Sequence, residues 1–171
     1  TRLDTGKLEY LFGGHSTAVT DVDWQIEKSS KREFLVTCAD DCKVIMHLLN
    51  DRRKNSKKKW VLFRVFDSKK IDQSWHTLTY MKVVIDQGLV IVVSQFGFLY
   101  IWDFRKFVRD GLVFGKKVSF GSIEGLDVIP SNSENSLLIC TASSDCTVGF
   151  FRLDKQIQEN MISHSRIDKK I

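Results

Sequence analysis

Apolar and polar positions alternate in short bursts along nearly the whole chain. Residues 34–39 and 43–49 form two apolar runs on either side of a tight turn at Asp41-Cys42. Residues 138–142 and 147–153 repeat that arrangement around Asp145-Cys146, and a looser copy, 89–94 with 98–104, ends in Trp102-Asp103. Apolar runs this short, bounded by turn residues, read as buried β-strands. The stretch 19–24 shows the period of two expected of a half-buried strand, with Val22 and Trp24 on one face and Asp21 and Asp23 on the other. Further strands are expected at Leu8–Phe12, 60–66, within 75–85, at 112–120 and at 123–129. Turn chemistry separates them at Asp4-Thr5-Gly6, 27–33, Asp86-Gln87-Gly88 and 130–135. No segment before residue 155 carries a 3.6-residue pattern. The polar stretch 154–171, with Ile157, Met161, Ile162 and Ile167 among charges, reads as a short amphipathic helix or a loose tail.

The three copies align column by column. Thr37 matches Thr141, Asp41 matches Asp145, and His47, Trp102 and Phe151 share a column. Phe96 stands in the Asp column of the middle copy, so the spacings are 55 and 49 residues. These lie a little above the roughly 40–45 residues of a four-stranded propeller blade with compact loops. Many short strands at even spacing, with one tagged motif per unit, describe an all-β propeller of four-stranded antiparallel blades. The units are 16–67, a degenerate 75–120 and an incomplete 123–153. Residues 1–15 read as the end of a preceding blade, and 154–171 as a polar tail.

Composition agrees with a folded domain: of 171 residues, 43% are hydrophobic and only one is Pro. The longest apolar run, Leu89 to Val93, is far shorter than the roughly 20 residues that span a bilayer. The formal net charge of +5 is a local property, because removing Arg52, Arg53, Lys54, Lys57, Lys58 and Lys59 takes it to −1. That run is a solvated loop, a phosphate-binding patch or a nuclear import signal. Cys38 and Cys42 have a spacing that invites a metal reading, but Cys42 and Cys146 hold the same turn position in two different units. Free structural cysteines in a reducing compartment are the expectation for these two and for Cys38 and Cys140.

These residues resemble the WD-repeat β-propellers over roughly residues 1–153. The carriers are Gly14-His15 ahead of a first strand, the Thr37 and Asp41 pair, Trp102-Asp103, and the opening 3-LDTGKLEYLFGGH-15. The resemblance implies a buried structural relay of His15, Thr37 and Asp41, with His47 where the family places Trp. Thr141 and Asp145 repeat part of it. A nucleophile–base–acid reading of His15, Thr37 and Asp41 is disfavoured because a catalytic triad does not recur per repeat. The middle unit departs from the pattern, with Phe96 for Asp, Val92 for the hydroxyl and Trp75-His76 for Gly-His. The last unit has Ser122 near the expected His and Phe151 for Trp. No glycine-rich phosphate loop, paired acids or metal-ligand spacing appears, so neither an enzyme nor a cofactor is expected.

Propellers close with about four to eight blades, and three cannot bring their ends together. The chain is therefore expected to be a piece of a larger, seven-blade-type ring, to complete a ring with another polypeptide, or to pair with a second copy. The leading functional expectation is a non-catalytic scaffold, nuclear or cytoplasmic, joining protein subunits in a larger assembly. Trp60, Trp75 and Tyr100 are candidate contact anchors, with core packing the blander reading of each. The alternative is an RNA-facing propeller subunit that grips phosphates through residues 52–59. Peptide capture in the central channel is a third option, without a marked pocket. No membrane insertion is expected.

Overall fold

The computed structural model describes residues 10–50, 59–107, 111–130 and 136–154. Eleven strands form three antiparallel sheets in strict chain order. The first blade is β1 (Val19–Ile26), β2 (Glu33–Ala39), β3 (Lys43–Asn50) and β4 (Lys59–Asp67). The second is β5 (Leu78–Val84), β6 (Leu89–Ser94), β7 (Phe98–Asp103) and β8 (Leu112–Lys117). The third holds three strands, β9 (Ile123–Pro130), β10 (Ser136–Ser143) and β11 (Val148–Asp154), with β10 in the middle. The all-β expectation and the blade sheets are thus observed. The segments 51–58, 108–110, 131–135 and 155–171, and the first nine residues, lie outside the described residues.

The same turn closes the second and third strands of each blade. The N–H groups of Cys42, Gly97 and Cys146 donate to the carbonyls of Ala39, Ser94 and Ser143. All three donors take left-handed backbone, with φ of 68°, 80° and 66°. Only at Gly97 is that conformation free of steric cost. These turns set the register, so Thr37, Val92 and Thr141 occupy one position, as do Asp41, Phe96 and Asp145.

Side-chain alternation in the middle strand of each blade feeds two separate cores. Phe34, Val36, Cys38, Val44, Met46 and Phe66 of the first blade meet Met81, Val83, Val90, Val92, Tyr100 and Trp102 of the second. On the other side of the second blade, Leu89, Ile91, Val93, Leu99 and Ile101 meet Ile123, Leu137, Ile139 and Leu153 of the third. Each fully buried aliphatic side chain here contributes about 1.5–3 kcal/mol. β6 is buried on both faces and therefore reads as an unbroken apolar run, without alternation.

Two short helical turns interrupt the β pattern. A four-residue helix, α1 (Lys69–Asp72), and a 3-10 turn at Ile85–Gln87 are both too short to leave a periodic signal in the sequence. The turn at 85–87 ends on Gly88, whose φ of 73° suits glycine. A strand was expected at Leu8–Phe12, but Tyr10–Phe12 joins no ladder, and Leu8 and Glu9 are outside the described residues.

Candidate functional site

The loop ahead of β1 brings His15 over the first blade. Its Nδ1 lies 3.1 Å from Asp41 Oδ1 and its Nε2 2.9 Å from Thr37 Oγ1. The carboxylate also accepts the Ser16 N–H at 3.0 Å and the Lys43 N–H at 3.1 Å. One ring nitrogen thus faces the carboxylate and the other the Thr37 hydroxyl, so His15 bridges the two. Burial pushes the Asp41 carboxyl up, but the Ser16 N–H and the His15 ring outweigh it and hold it below the usual range. The three groups tie the entry loop to the β2–β3 turn. Asp41 is almost wholly buried, and Thr37 is half-buried.

His47 stands in the column of Trp102 and Phe151, as the registers Leu35–His47, Val90–Trp102 and Ile139–Phe151 show. It does not join the relay. Its ring packs at 5.2 Å on Phe12, and its buried Nδ1 has no hydrogen-bond partner. Burial, then the charge of His15, lowers its pKa. Trp102 is core, stacked between Tyr100 and Phe66. Asp103 is buried beneath Arg105 and Lys106, accepting the Arg105 N–H at 3.0 Å.

In the third blade Asp145 has gathered a different set of partners. It accepts the Ser119 hydroxyl at 2.6 Å, the Phe120 N–H at 2.9 Å and the Thr147 hydroxyl at 2.5 Å. The Ser119 and Thr147 hydroxyls lower its pKa most. Thr141 is buried on the strand behind but is absent from this set. Ser119, not Ser122, takes the His15 role. Each lies three residues before the carbonyl, Ala18 or Ser122, that accepts the turn N–H of Asp40 or Ser144. Nothing separates these two serines in the sequence alone.

The second blade replaces the relay with rings. His76 packs at 5.4 Å on Phe96, in the Asp column, and at 4.4 Å on Phe98, and the stack continues through Tyr100 to Trp102. Such pairs contribute about 0.5–1.5 kcal/mol each beyond burial. Tyr100 is therefore core and no contact anchor. Trp60 is half-buried against Trp24 and Phe12, while Trp75 stays exposed under the Lys69 ammonium.

The polar face of β1 turns out to be an inter-blade seam. Asp21 Oδ2 accepts the Met81 N–H at 2.8 Å and Asp23 Oδ2 the Val83 N–H at 3.0 Å. Thr20 reinforces this seam by donating to the Leu78 carbonyl, and Thr79 does the same between the second and third blades by donating to the Ile123 carbonyl. Carboxylates here satisfy the outward N–H groups of an inner edge strand, which would otherwise be orphaned on packing. The apolar face of β1, expected to be half-buried, is instead open: Val22, Trp24 and Ile26 are all exposed, together with Leu62 and Val65 of β4. At the other end Ile129, Val148 and Phe150 of the third blade are exposed. Among the described residues, each end of the stack is thus a blade face without a neighbour.

Of the basic run, Lys59 opens β4 and is exposed. Arg52, Arg53, Lys54, Lys57 and Lys58 fall outside the described residues. Cys38 is buried beside Thr20, its thiol pushed up to about 12 by burial. Cys42 accepts the His76 N–H on sulfur. Cys140 and Cys146 lie a whole blade away, and no cluster of three or more metal-type ligands occurs among the described residues. No helix among these residues is long and apolar enough to cross a membrane.

No family model matches the chain, and neither does any curated protein sequence. Among solved structures it is similar to the β-propeller domain of Cps50 (Swd1) from Myceliophteria thermophila, at 14% identity and a TM-score of 0.44. That likeness covers 90% of this chain and 58% of that one. It is also similar to the WD40 β-propeller domain of Doa1, at 20% identity and a TM-score of 0.37, covering 84% and 54%. The chain spans a little over half the length of each. Its own geometry, antiparallel blades packed in chain order and closed by a shared turn, is that of part of a β-propeller.

Proposed function

We propose that the chain is a non-catalytic interaction module that holds other protein subunits in a larger intracellular assembly. The observation that carries this reading is the pair of open blade faces. One exposes Val22, Trp24, Ile26, Leu62 and Val65, and the other Ile129, Val148 and Phe150. Contiguous apolar surface of this kind marks a protein contact when it persists on a folded domain. The polar clusters offer no competing chemistry. His15, Thr37 and Asp41 are spent on one another and on the backbone, and Asp145 is spent on Ser119, Thr147 and turn N–H groups.

The test is native mass spectrometry of the tagged chain recovered from its source cells, with and without ribonuclease. A defined protein heteromer that survives the nuclease is expected. Loss of all partners after nuclease treatment would overturn the scaffold reading in favour of RNA contact through residues 52–59.

A further inference from the structure

We propose that the rim formed by the β1–β2, β5–β6 and β7–β8 connections binds a single-stranded polynucleotide, with Phe107 as the platform on which a base stacks. The inference goes beyond the scaffold reading and does not depend on it. Its residues belong to the first two blades and the junction between them.

Three connections and one strand are stitched into a single surface. The Lys28 N–H donates to Asp86 Oδ1 at 3.1 Å, and the Lys28 ammonium lies 3.5 Å from Asp86 Oδ2. The Phe104 N–H donates to the Gly88 carbonyl at 2.9 Å, and the Arg105 side chain crosses the space that a Cβ on Gly88 would take. Arg64 of β4 reaches in from the first blade. Its Nη1 donates to the Phe104 and Lys106 carbonyls at 2.6 and 2.5 Å.

At the outer end of this surface Phe107 is 82% exposed. A ring left this open gains little from burial, so hydrophobic packing does not account for its position. The Arg64 guanidinium lies over it, 4.8 Å from the ring centroid, and is itself fixed by the two carbonyls and by the Phe66 ring at 5.2 Å. The cation supports the ring from one side, and most of the ring surface stays open to solvent. An aromatic ring backed by a fixed guanidinium is an arrangement on which unpaired bases stack.

Charge on the same surface matches the other half of such a ligand. Residues 27–33, 85–88 and 103–107, with Arg64, carry six cations against the four carboxylates of Glu27, Glu33, Asp86 and Asp103. Asp103 alone faces two of them, 3.2 Å from Arg105 Nε and 3.5 Å from the Lys106 ammonium, which leaves a surplus positive charge beside Phe107. Both cations remain accessible, at 54% and 36% exposed. On the opposite rim residues 40–43, 67–77, 95–97, 116–122 and 143–147 carry five cations and five carboxylates, which cancel. The basic rim therefore attracts a polyanion. An acidic peptide satisfies the charge but not the ring, and a duplex keeps its base faces inside the stack. A single strand offers phosphates and open bases together.

Fluorescence anisotropy of a labelled oligouridylate of about 12 nucleotides, titrated with the 171-residue chain over a salt series, tests this. Saturable binding that weakens with salt is expected. Phe107→Ala should weaken it roughly 5- to 150-fold with the salt slope unchanged, because a stacked base and no phosphate contact is lost. Phe107→Trp should retain it. Lys106→Gln should instead lower the slope by about 0.7, the share of one phosphate contact on a single strand. Both side chains reach the surface, so an unchanged melting temperature separates lost binding from lost folding. No binding at low salt, or binding indifferent to Phe107→Ala, overturns the proposal. Equal affinity for polyglutamate also overturns it and assigns the rim to an acidic protein. So does binding lost only when Arg52, Arg53, Lys54, Lys57, Lys58 and Lys59 become Ser, since the basic run alone would then grip the strand. None of these results touches the nuclease-resistant heteromer expected of the scaffold reading, so the two readings fail separately.

Discussion

Replacing Asp41 by Ala removes the acceptor at the centre of the relay while leaving every donor in place. The carboxylate serves the Ser16 N–H, the Lys43 N–H and the His15 ring, at 3.0 to 3.1 Å, in a site that is 2% exposed. Leaving a buried donor unsatisfied costs about 1–3 kcal/mol each, and more where the lost acceptor was charged. Ser16 lies in an exposed loop that water reaches, so its share is the smallest. The sum is about 3–4 kcal/mol, at the exceptional end for a single substitution. For a chain of this length that is a fall in melting temperature of roughly 6–16 °C. Equilibrium urea unfolding followed by tryptophan fluorescence measures it directly. The same variant should flatten the acid limb of the stability curve. The folded Asp41 pKa lies below its unfolded value, so its contribution is complete above the unfolded pKa of about 3.9 and is lost as pH falls through the folded value. A loss under about 1 kcal/mol, with the acid limb unchanged, would show that the relay is incidental to the blade.

The other expectations are briefer. Cys146→Gly should stabilise by about 0.5–1 kcal/mol, since an exposed residue with φ of 66° gains glycine's freedom; a calorimetric melt reads it. Gly97→Ala should do the reverse by more than about 2 kcal/mol, because a Cβ there would sit 2.1 Å from the Ser119 carbonyl oxygen. His47→Phe should stabilise and remove a pH dependence. Because the folded His47 pKa is lowered, wild-type stability falls as pH drops from about 6.5 toward the folded value, and the variant should show no such step in urea titrations. Asp23→Ala should speed hydrogen exchange at the Val83 amide while sparing amides inside β6, which a uniform change across both would contradict.

Much of this architecture was legible because turn chemistry is local. The Asp-Cys turns and the Thr37 and Thr141 columns locate the blades, since a two-residue turn and period-two alternation need no tertiary information. Which face of β1 meets the next blade was not legible. Alternation separates Val22 and Trp24 from Asp21 and Asp23, but packing decided that the acidic face becomes the seam, by matching each carboxylate to a backbone N–H on another strand. The Ser119–Asp145 contact was hidden for a different reason. Serine is common in loops, and the role shows only when the two turn carbonyls are aligned. Phe96 read as a loss in the Asp column, yet with His76 and Phe98 it begins an aromatic stack that replaces the relay. Tyr100, polar at one end and adjacent to a turn, fits a contact anchor or core packing in the sequence, and its burial between Phe98 and Trp102 makes it core.

The central claim is that the two terminal blade faces make the protein contacts. Site-specific photo-cross-linking in source cells, with a photoreactive phenylalanine at position 24, at position 150 or at the exposed control Lys28, addresses it most directly. The account predicts nuclease-resistant protein adducts from positions 24 and 150 and none from 28. Adducts absent from both faces, or formed equally at the control, would contradict it.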